Sequence, residues 1–241
     1  MIMKEAKISN ENRRLYAVGD IHGRLDLLDR LIAAIDRDAK HHRGNCLTVT
    51  LGDYVDRGPS SRGVIERLAS NPFPGDYVAL KGNHEALLEA FLDDPGIGAQ
   101  WRHFGGLETL HSFGVRVAPL MVGRNFDEAA EQLRAALLPV HSEFLASLKT
   151  SLTVSRYFLC HAGVRPGVAL ERQSEEDLLW IRDEFLKSKM DFGKIVVHGH
   201  TPTEAPEVLP NRINIDTGAF ATGRLTCAVL DDSNCRFLST N

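Results

Sequence analysis

Six side chains of this sequence are of types that hold metal ions, and they recur in one local pattern: Asp20, His22, Asp53, Asn83, His161 and His200. Their carboxylate, amide and imidazole groups form a mixed oxygen and nitrogen donor set, which suits borderline divalent cations such as manganese, iron or zinc. They fall in short polar runs, GDIHGR from Gly19, GDYVDRG from Gly52, GNHE from Gly82, HAG from His161 and HGHT from His198. One carboxylate, Asp53, can bridge two ions. A cation pair roughly 3.5–4 Å apart acidifies a shared water and clamps the oxygens of an in-line displacement at phosphorus. Hydrolysis of a phosphoester is the chemistry to which this set leads.

What must position these groups is a series of strand ends. Each run follows a short apolar segment: Leu15 to Val18, Leu47 to Leu51, Tyr77 to Leu80, Tyr157 to Cys160 and Lys194 to Val197. Glycine then permits a sharp exit, and the carboxylate or imidazole points outward. The first three runs are followed by helical spacing, seen in Leu27, Leu28, Leu31, Ile32 and Ile35, in Val64, Ile65 and Leu68, and in Leu87, Leu88 and Phe91. Strand, polar loop and helix in repetition predict a βαβ-type organisation with its ligand site beyond the carboxyl ends of the strands. Helices are also expected from about Asp127 to Leu148 and around Glu175 to Lys187. Further strands are expected at Leu152 to Ser155, Ile213 to Ile215 and Leu225 to Leu230, with an edge strand at Arg236 to Ser239. Two sheets face to face, with helices outside, accommodate this order.

Taken in sequence, GDIHG, GDYVDRG, GNHE, HAG and GH resemble the signature of the metallophosphoesterase superfamily, and within it the serine/threonine phosphoprotein phosphatase family with its small phage and bacterial members. The resemblance runs from about Leu15 to about Leu230. It implies an α/β fold, a four-layer αββα sandwich of two mixed sheets with the site at the loop edge between them. Many relatives in the wider superfamily carry GHxH at the last motif, whereas here Gly199, His200, Thr201 and Pro202 follow one another, and proline cannot ligate. That departure, with the DRG arginine Arg57, favours the phosphoprotein phosphatase branch over nucleases and phosphodiesterases. Arg182, two residues after Trp180, is similar to a second phosphate-binding arginine of the small phage-like enzymes.

The resemblance implies a division of roles. Asp20, His22 and Asp53 would hold one cation and Asp53, Asn83, His161 and His200 the other, with Mn2+ the first expectation and iron or zinc also suited. A metal-bridging water would attack phosphorus directly, without a phosphoenzyme. Arg57 and Arg182, together with Asn83, would bind the phosphate, because a planar guanidinium presents paired donors to a tetrahedral oxyanion. His84 would protonate the leaving oxygen, oriented by Asp56.

Plainer readings stand beside these. A histidine at a strand exit is often a hydrogen-bonded capping residue, and His41, His42, His103, His111 and His141 have no motif around them and read as structural or solvated. His198 could face the sheet interior and is left out of the metal set. Asp56 and Arg57 could be a turn-closing ion pair, and Arg182 an ordinary surface residue. Cys160 lacks an arginine six positions on, where Pro166 stands, so a thiolate phosphatase mechanism is disfavoured.

With 241 residues, 43% of them hydrophobic, the chain is expected to form one domain around a substantial core. The first 14 residues read as a polar leader without a secretory signal, and no apolar run approaches the roughly 20 residues of a membrane span. A cytoplasmic location is the expectation. Four scattered cysteines suggest no disulfide framework. A formal charge of −4 argues against stable nucleic-acid binding.

The segment 93–148 carries Trp101, Arg102, His103, Gly105, Gly106, Arg116 and Arg124, and reads either as a cap over the cleft or as a helical buttress. Three functions fit. The first is a serine/threonine-type protein phosphatase acting on phosphorylated protein. The second is a symmetrical dinucleoside tetraphosphatase acting on a nucleotide-type substrate, with Trp101 or Phe104 stacking on adenine. The third is a non-catalytic metal-dependent binder, against which His84 alongside a full ligand set argues. The oligomeric state is not readable from the sequence.

Overall fold

The computed structural model describes residues 13–231 and 234–240, so of the polar leader only Arg13 and Arg14 are described. Ten strands form two mixed sheets of five. The first contains β1 (Arg14–Val18), β2 (Cys46–Thr50), β3 (Asp76–Ala79), β9 (Thr226–Leu230) and β10 (Cys235–Ser239) in the order β10-β9-β1-β2-β3. The second contains β4 (Ser151–Val154), β5 (Tyr157–Cys160), β6 (Ile195–His198), β7 (Glu207–Val208) and β8 (Arg212–Asn214) in the order β4-β5-β6-β8-β7. In the first sheet β1, β2 and β3 run parallel, and in the second β5, β6 and β8 do. Parallel strands place their carboxyl ends on one edge, so the five motif-bearing exits, of β1, β2, β3, β5 and β6, gather at two neighbouring edges.

Side chains alternate along β1 with the period of two that a pleated strand imposes. Leu15 and Ala17 pack with Leu47, Val49, Leu159, Val197, Ile213 and Ala228 between the two sheets. Tyr16 and Val18 face the other way, against the helical layer that includes Leu27, Leu28, Leu31 and Ile35 of α1 (Leu25–Ala39). Phe158, Cys160 and Val196 of the second sheet meet Leu178, Ile181 and Phe185 on its outer side. The four layers αββα are therefore present, as expected. Burial of each such leucine stabilises the fold by about 1.5–3 kcal/mol at most, so this helix is held by its packed stripe rather than by propensity alone.

Two helices expected as continuous are broken. The stretch 127–148 divides into Phe126–Ala136 and Pro139–Ser147, because Pro139 disfavours helical geometry at Leu138, whose ψ is 161°. The stretch 175–187 divides into Glu175–Trp180 and Asp183–Leu186, with Ile181 extended at ψ 140° and Arg182 at φ −130°. Arg182 thus projects from a break and not from a regular helix face. The segment after α3 (Asn83–Asp93) packs as a buttress: Trp101, Ala129, Ala130 and Leu133 join the core of the first sheet's helical side.

Candidate metal centre

The exits of β2, β3, β5 and β6 bring four metal-ligand-type atoms together. Asn83 Oδ1 lies 2.8 Å from both His161 Nε2 and His200 Nδ1, which are 3.2 Å apart, and His161 Nε2 is 3.3 Å from Asp53 Oδ1. The tautomer of His161 follows from its other nitrogen, which donates to the Leu51 carbonyl at 2.9 Å. Its Nε2 therefore presents a lone pair to an amide oxygen and a carboxylate. Burial pushes His161 down and His200 down to about 2, so both rings are neutral, as ligation requires. Lone pairs crowded this closely repel unless a cation stands among them, and the donor types fit a borderline divalent ion.

A second cluster shares Asp53. Among the described residues, Asp53, His161 and His200 offer ligand atoms within 4.8 Å of one another, and so do His22, Asp53 and His84. His22 Nδ1 donates to Val55 O at 2.9 Å, leaving Nε2 open toward Asp53 Oδ2 at 3.4 Å, and burial drives the ring down to about 3. Surrounding imidazoles outweigh burial at Asp53 and keep its carboxyl below the usual range. Asp20 accepts from His200 N through Oδ2 at 3.0 Å, while its buried Oδ1 has no hydrogen-bond partner. Burial and the nearby carboxylates of Asp216 and Asp53 raise Asp20 well above the ordinary carboxyl value. A cation beside these acids would remove that penalty. Asp216 was not anticipated as part of this cluster, although it too follows a strand exit, that of β8, with the acid here before the glycine, Gly218; burial pushes it up to about 6.

The loops achieve this by unusual backbone. His22, Asp53, Asp56, Arg57 and His200 all have positive φ, five of the eight such non-glycine residues described. Each costs about 1–2 kcal/mol, which the surroundings must offset. One offset is Glu85, a fully buried carboxylate that accepts from the amides of Asp53, Tyr54, Val55 and Gly82 at 2.7 to 3.3 Å. It ties the GDYVDRG loop to the start of α3. Close approach explains two motif glycines: a β-carbon at Gly82 would strike Asp53 Oδ1, and one at Gly199 would strike Asp20 Oδ1.

Beside these candidate ligands lies a different arrangement. His84 Nδ1 donates to Asp56 Oδ2 at 2.6 Å, so its Nε2 faces the cleft, where Arg57 Nη2 donates to it at 3.1 Å. Burial pulls His84 down, but Asp53 and the Asp56 hydrogen bond outweigh it and the net shift is upward. The Arg57 guanidinium sits 4.6 Å over the ring of Phe220. Arg182 is exposed, reaches Thr201 Oγ1 at 3.5 Å, and is near enough to His161 and His200 to depress both. Phe104 is half-buried, edge-on to His84 at 6.5 Å. Trp101 is not available to stack on a base. It is fully buried, and its indole N–H donates to Asp56 Oδ2 at 2.8 Å.

The remaining histidines lie apart from this centre. His198 is buried against Phe185, with Nδ1 bonded to Gly199 O at 3.1 Å. His41, His103 and His111 are exposed, and His141 is buried in hydrogen bonds with Leu138 and Glu66. Cys160 is buried, its thiol raised by desolvation, so it is no ready nucleophile.

The calcineurin-like phosphoesterase family matches residues 13–229. Serine/threonine-protein phosphatase 2 of Escherichia coli K12 is 29% identical over 223 residues, spanning 89% of this chain and 91% of its own. An asymmetrical bis(5'-nucleosyl)-tetraphosphatase PrpE of Anoxybacillus flavithermus is 27% identical over 233 residues, spanning 87% of each. The fold is similar to that of a cold-active protein tyrosine phosphatase, with a TM-score of 0.58 at 16% identity over 95% of this chain and 78% of the other.

Proposed function

This chain belongs to the calcineurin-like phosphoesterase family, and from that premise we propose that it is a dinuclear-metal phosphatase of the serine/threonine protein phosphatase type, hydrolysing phosphomonoesters. The observation that carries this reading is the convergence of Asn83 Oδ1, His161 Nε2, His200 Nδ1 and Asp53 Oδ1 on one point, beside His84 backed by Asp56. Asp53, Asn83, His161 and His200 would hold one cation and Asp20, His22 and Asp53 the other, with manganese the first choice among the borderline ions that suit this mixed oxygen and nitrogen set. When bound, the pair supplies Lewis acidity and an activated water for in-line displacement.

The chain's own residues do the rest. Arg57 turns its guanidinium from His84 toward the phosphoryl oxygens, and Arg182 and Asn83 contact the same group from the second sheet's side and from α3. Held by Asp56 on Nδ1, His84 presents Nε2–H to the departing oxygen. A cytoplasmic setting belongs to the same reading, since the four cysteines are free and no described helix is long and apolar enough to cross a membrane.

Hydrolysis of a dinucleoside polyphosphate is the second reading. Two exposed rings at the rim favour it, Trp180 at 6.4 Å from His200 and Phe220 at 5.4 Å from His22, either of which can stack on a base where Trp101 cannot. The PrpE relative is named for asymmetrical cleavage, not for the symmetrical cleavage first expected. Manganese-loaded protein assayed in parallel with a phosphoserine peptide and diadenosine tetraphosphate separates the two. Metal-dependent release of phosphate from the peptide is expected; a preference for the dinucleotide by several orders of magnitude would overturn the first reading.

A further inference from the structure

Asp56 is fully buried and accepts three side-chain hydrogen bonds, of which only one comes from His84. The other two come from the segment after α3. Trp101 Nε1 donates to the same Oδ2 at 2.8 Å, and Thr109 Oγ1 donates to Oδ1 at 2.6 Å. Thr109 Oγ1 also accepts from the Asp56 amide at 2.7 Å, and Ser61 Oγ lies 3.0 Å from Thr109 and 3.1 Å from that amide. Nothing in this cluster is loose. The Trp101 ring packs 4.9 Å from Phe91, and a β-carbon on Gly106 would collide with it. Gly105 O accepts from the Arg57 amide at 3.2 Å, so the same segment also grips the neighbouring loop residue.

We propose that Trp101 and Thr109 are positioning residues for the proton-donating step, holding Asp56 so that it keeps the His84 proton on Nδ1 and aims Nε2 at the leaving oxygen. The physical case is geometric. A carboxylate held only by His84 is free to rotate, and the imidazole then loses its fixed tautomer and direction. Donors at both oxygens remove that freedom. In the step concerned, the bond from phosphorus to the leaving oxygen breaks as the Nε2 proton moves onto that oxygen. Water supplies the new oxygen on phosphorus and yields its surplus proton to solvent, from which His84 is reprotonated. This inference rests on the proposed role of His84.

The prediction concerns which substrates suffer. An alkoxide leaving from phosphoserine needs a proton, whereas p-nitrophenolate departs well without one. Trp101→Phe keeps a ring against Phe91 and removes the N–H; Thr109→Val keeps the shape and removes the hydroxyl. Each variant, manganese-loaded and checked for unchanged metal content, is assayed on phosphoserine peptide and on p-nitrophenyl phosphate with His84→Asn as reference. We expect kcat on the peptide to fall about 10–100-fold in either variant, as for loss of a supporting hydrogen bond, with less than about threefold change on the aryl ester. The low-field Nδ1–H proton resonance of His84 in metal-free protein should move as well. Equal loss on both substrates, or no loss on either, while His84→Asn discriminates strongly, would overturn the positioning role alone. Absence of discrimination in His84→Asn would overturn the proton-donor assignment and this inference with it.

Discussion

Two halves of one cleft are built on opposite principles. On the ligand side, Asn83 Oδ1, His161 Nε2 and Asp53 Oδ1 present lone pairs to one another, and the buried Asp20 Oδ1 and His200 Nε2 have no partner. On the side of His84, Asp56 is supplied by Trp101, Thr109 and His84, and Glu85 by four amides. The first arrangement is electrostatically incomplete within the chain, and the second is satisfied within it. Buried polar groups are ordinarily paired, so an exception that also carries strained backbone marks the place where something from outside the chain belongs.

The sharpest way to break this contrast is to remove the shared carboxylate. Asp53→Asn should reduce metal stoichiometry and take phosphatase activity to background, measured by elemental analysis and phosphate release; retention of two ions with full turnover would contradict the shared role. Next comes His84→Asn, expected to lower turnover about 10²–10⁴-fold with metal content intact, because the proposed ligand set does not include it. An unchanged rate would take His84 out of the mechanism.

Three stability measurements sharpen the comparison. If the ligand side is completed by cations, manganese at about a hundred times its dissociation constant should stabilise the fold by about 2.7 kcal/mol, raising Tm by roughly 5–10 °C over chelated protein. A Tm indifferent to metal would mean that those lone pairs are not where the ions sit. Glu85→Ala should lower stability by roughly 3 kcal/mol, since four buried amides lose their acceptor. The smallest effect is expected at the rim of the buttress, where Arg116→Ala removes an exposed pair with Glu128: stability should change by less than about 1 kcal/mol and activity not at all.

Much of this was legible before any fold was known. The candidate ligand residues and His84 announce themselves because each stands within a few residues of a strand exit, and local spacing is what a sequence displays. Nine strands were legible to within a residue or so, since an apolar run shows where a strand lies better than where its hydrogen bonds stop, whereas the two-residue β7 has no apolar run and was missed. The helix from 127 to 148 misled because its apolar spacing continues across Pro139, whose backbone effect overrode the pattern. Trp101 misled differently. An indole in a polar segment reads as a free ring, and only the fold shows its N–H bonded to Asp56, 45 residues earlier. Glu85 and Asp216 were within reach, the first inside a motif already noted and the second after a strand exit of familiar form.

The sequence by itself determined the donor types, their order and their attachment to strand ends, because a period of two and a glycine exit are local physics. Tertiary structure alone decided which donors meet: two sheets had to pack face to face before His161 could reach Leu51 and Asn83, or His200 could reach Asp20. It also decided that Trp101 and Thr109 meet Asp56 beside His84, because hydrogen bonds between residues tens of positions apart depend on how layers dock, and no spacing along the chain encodes that distance.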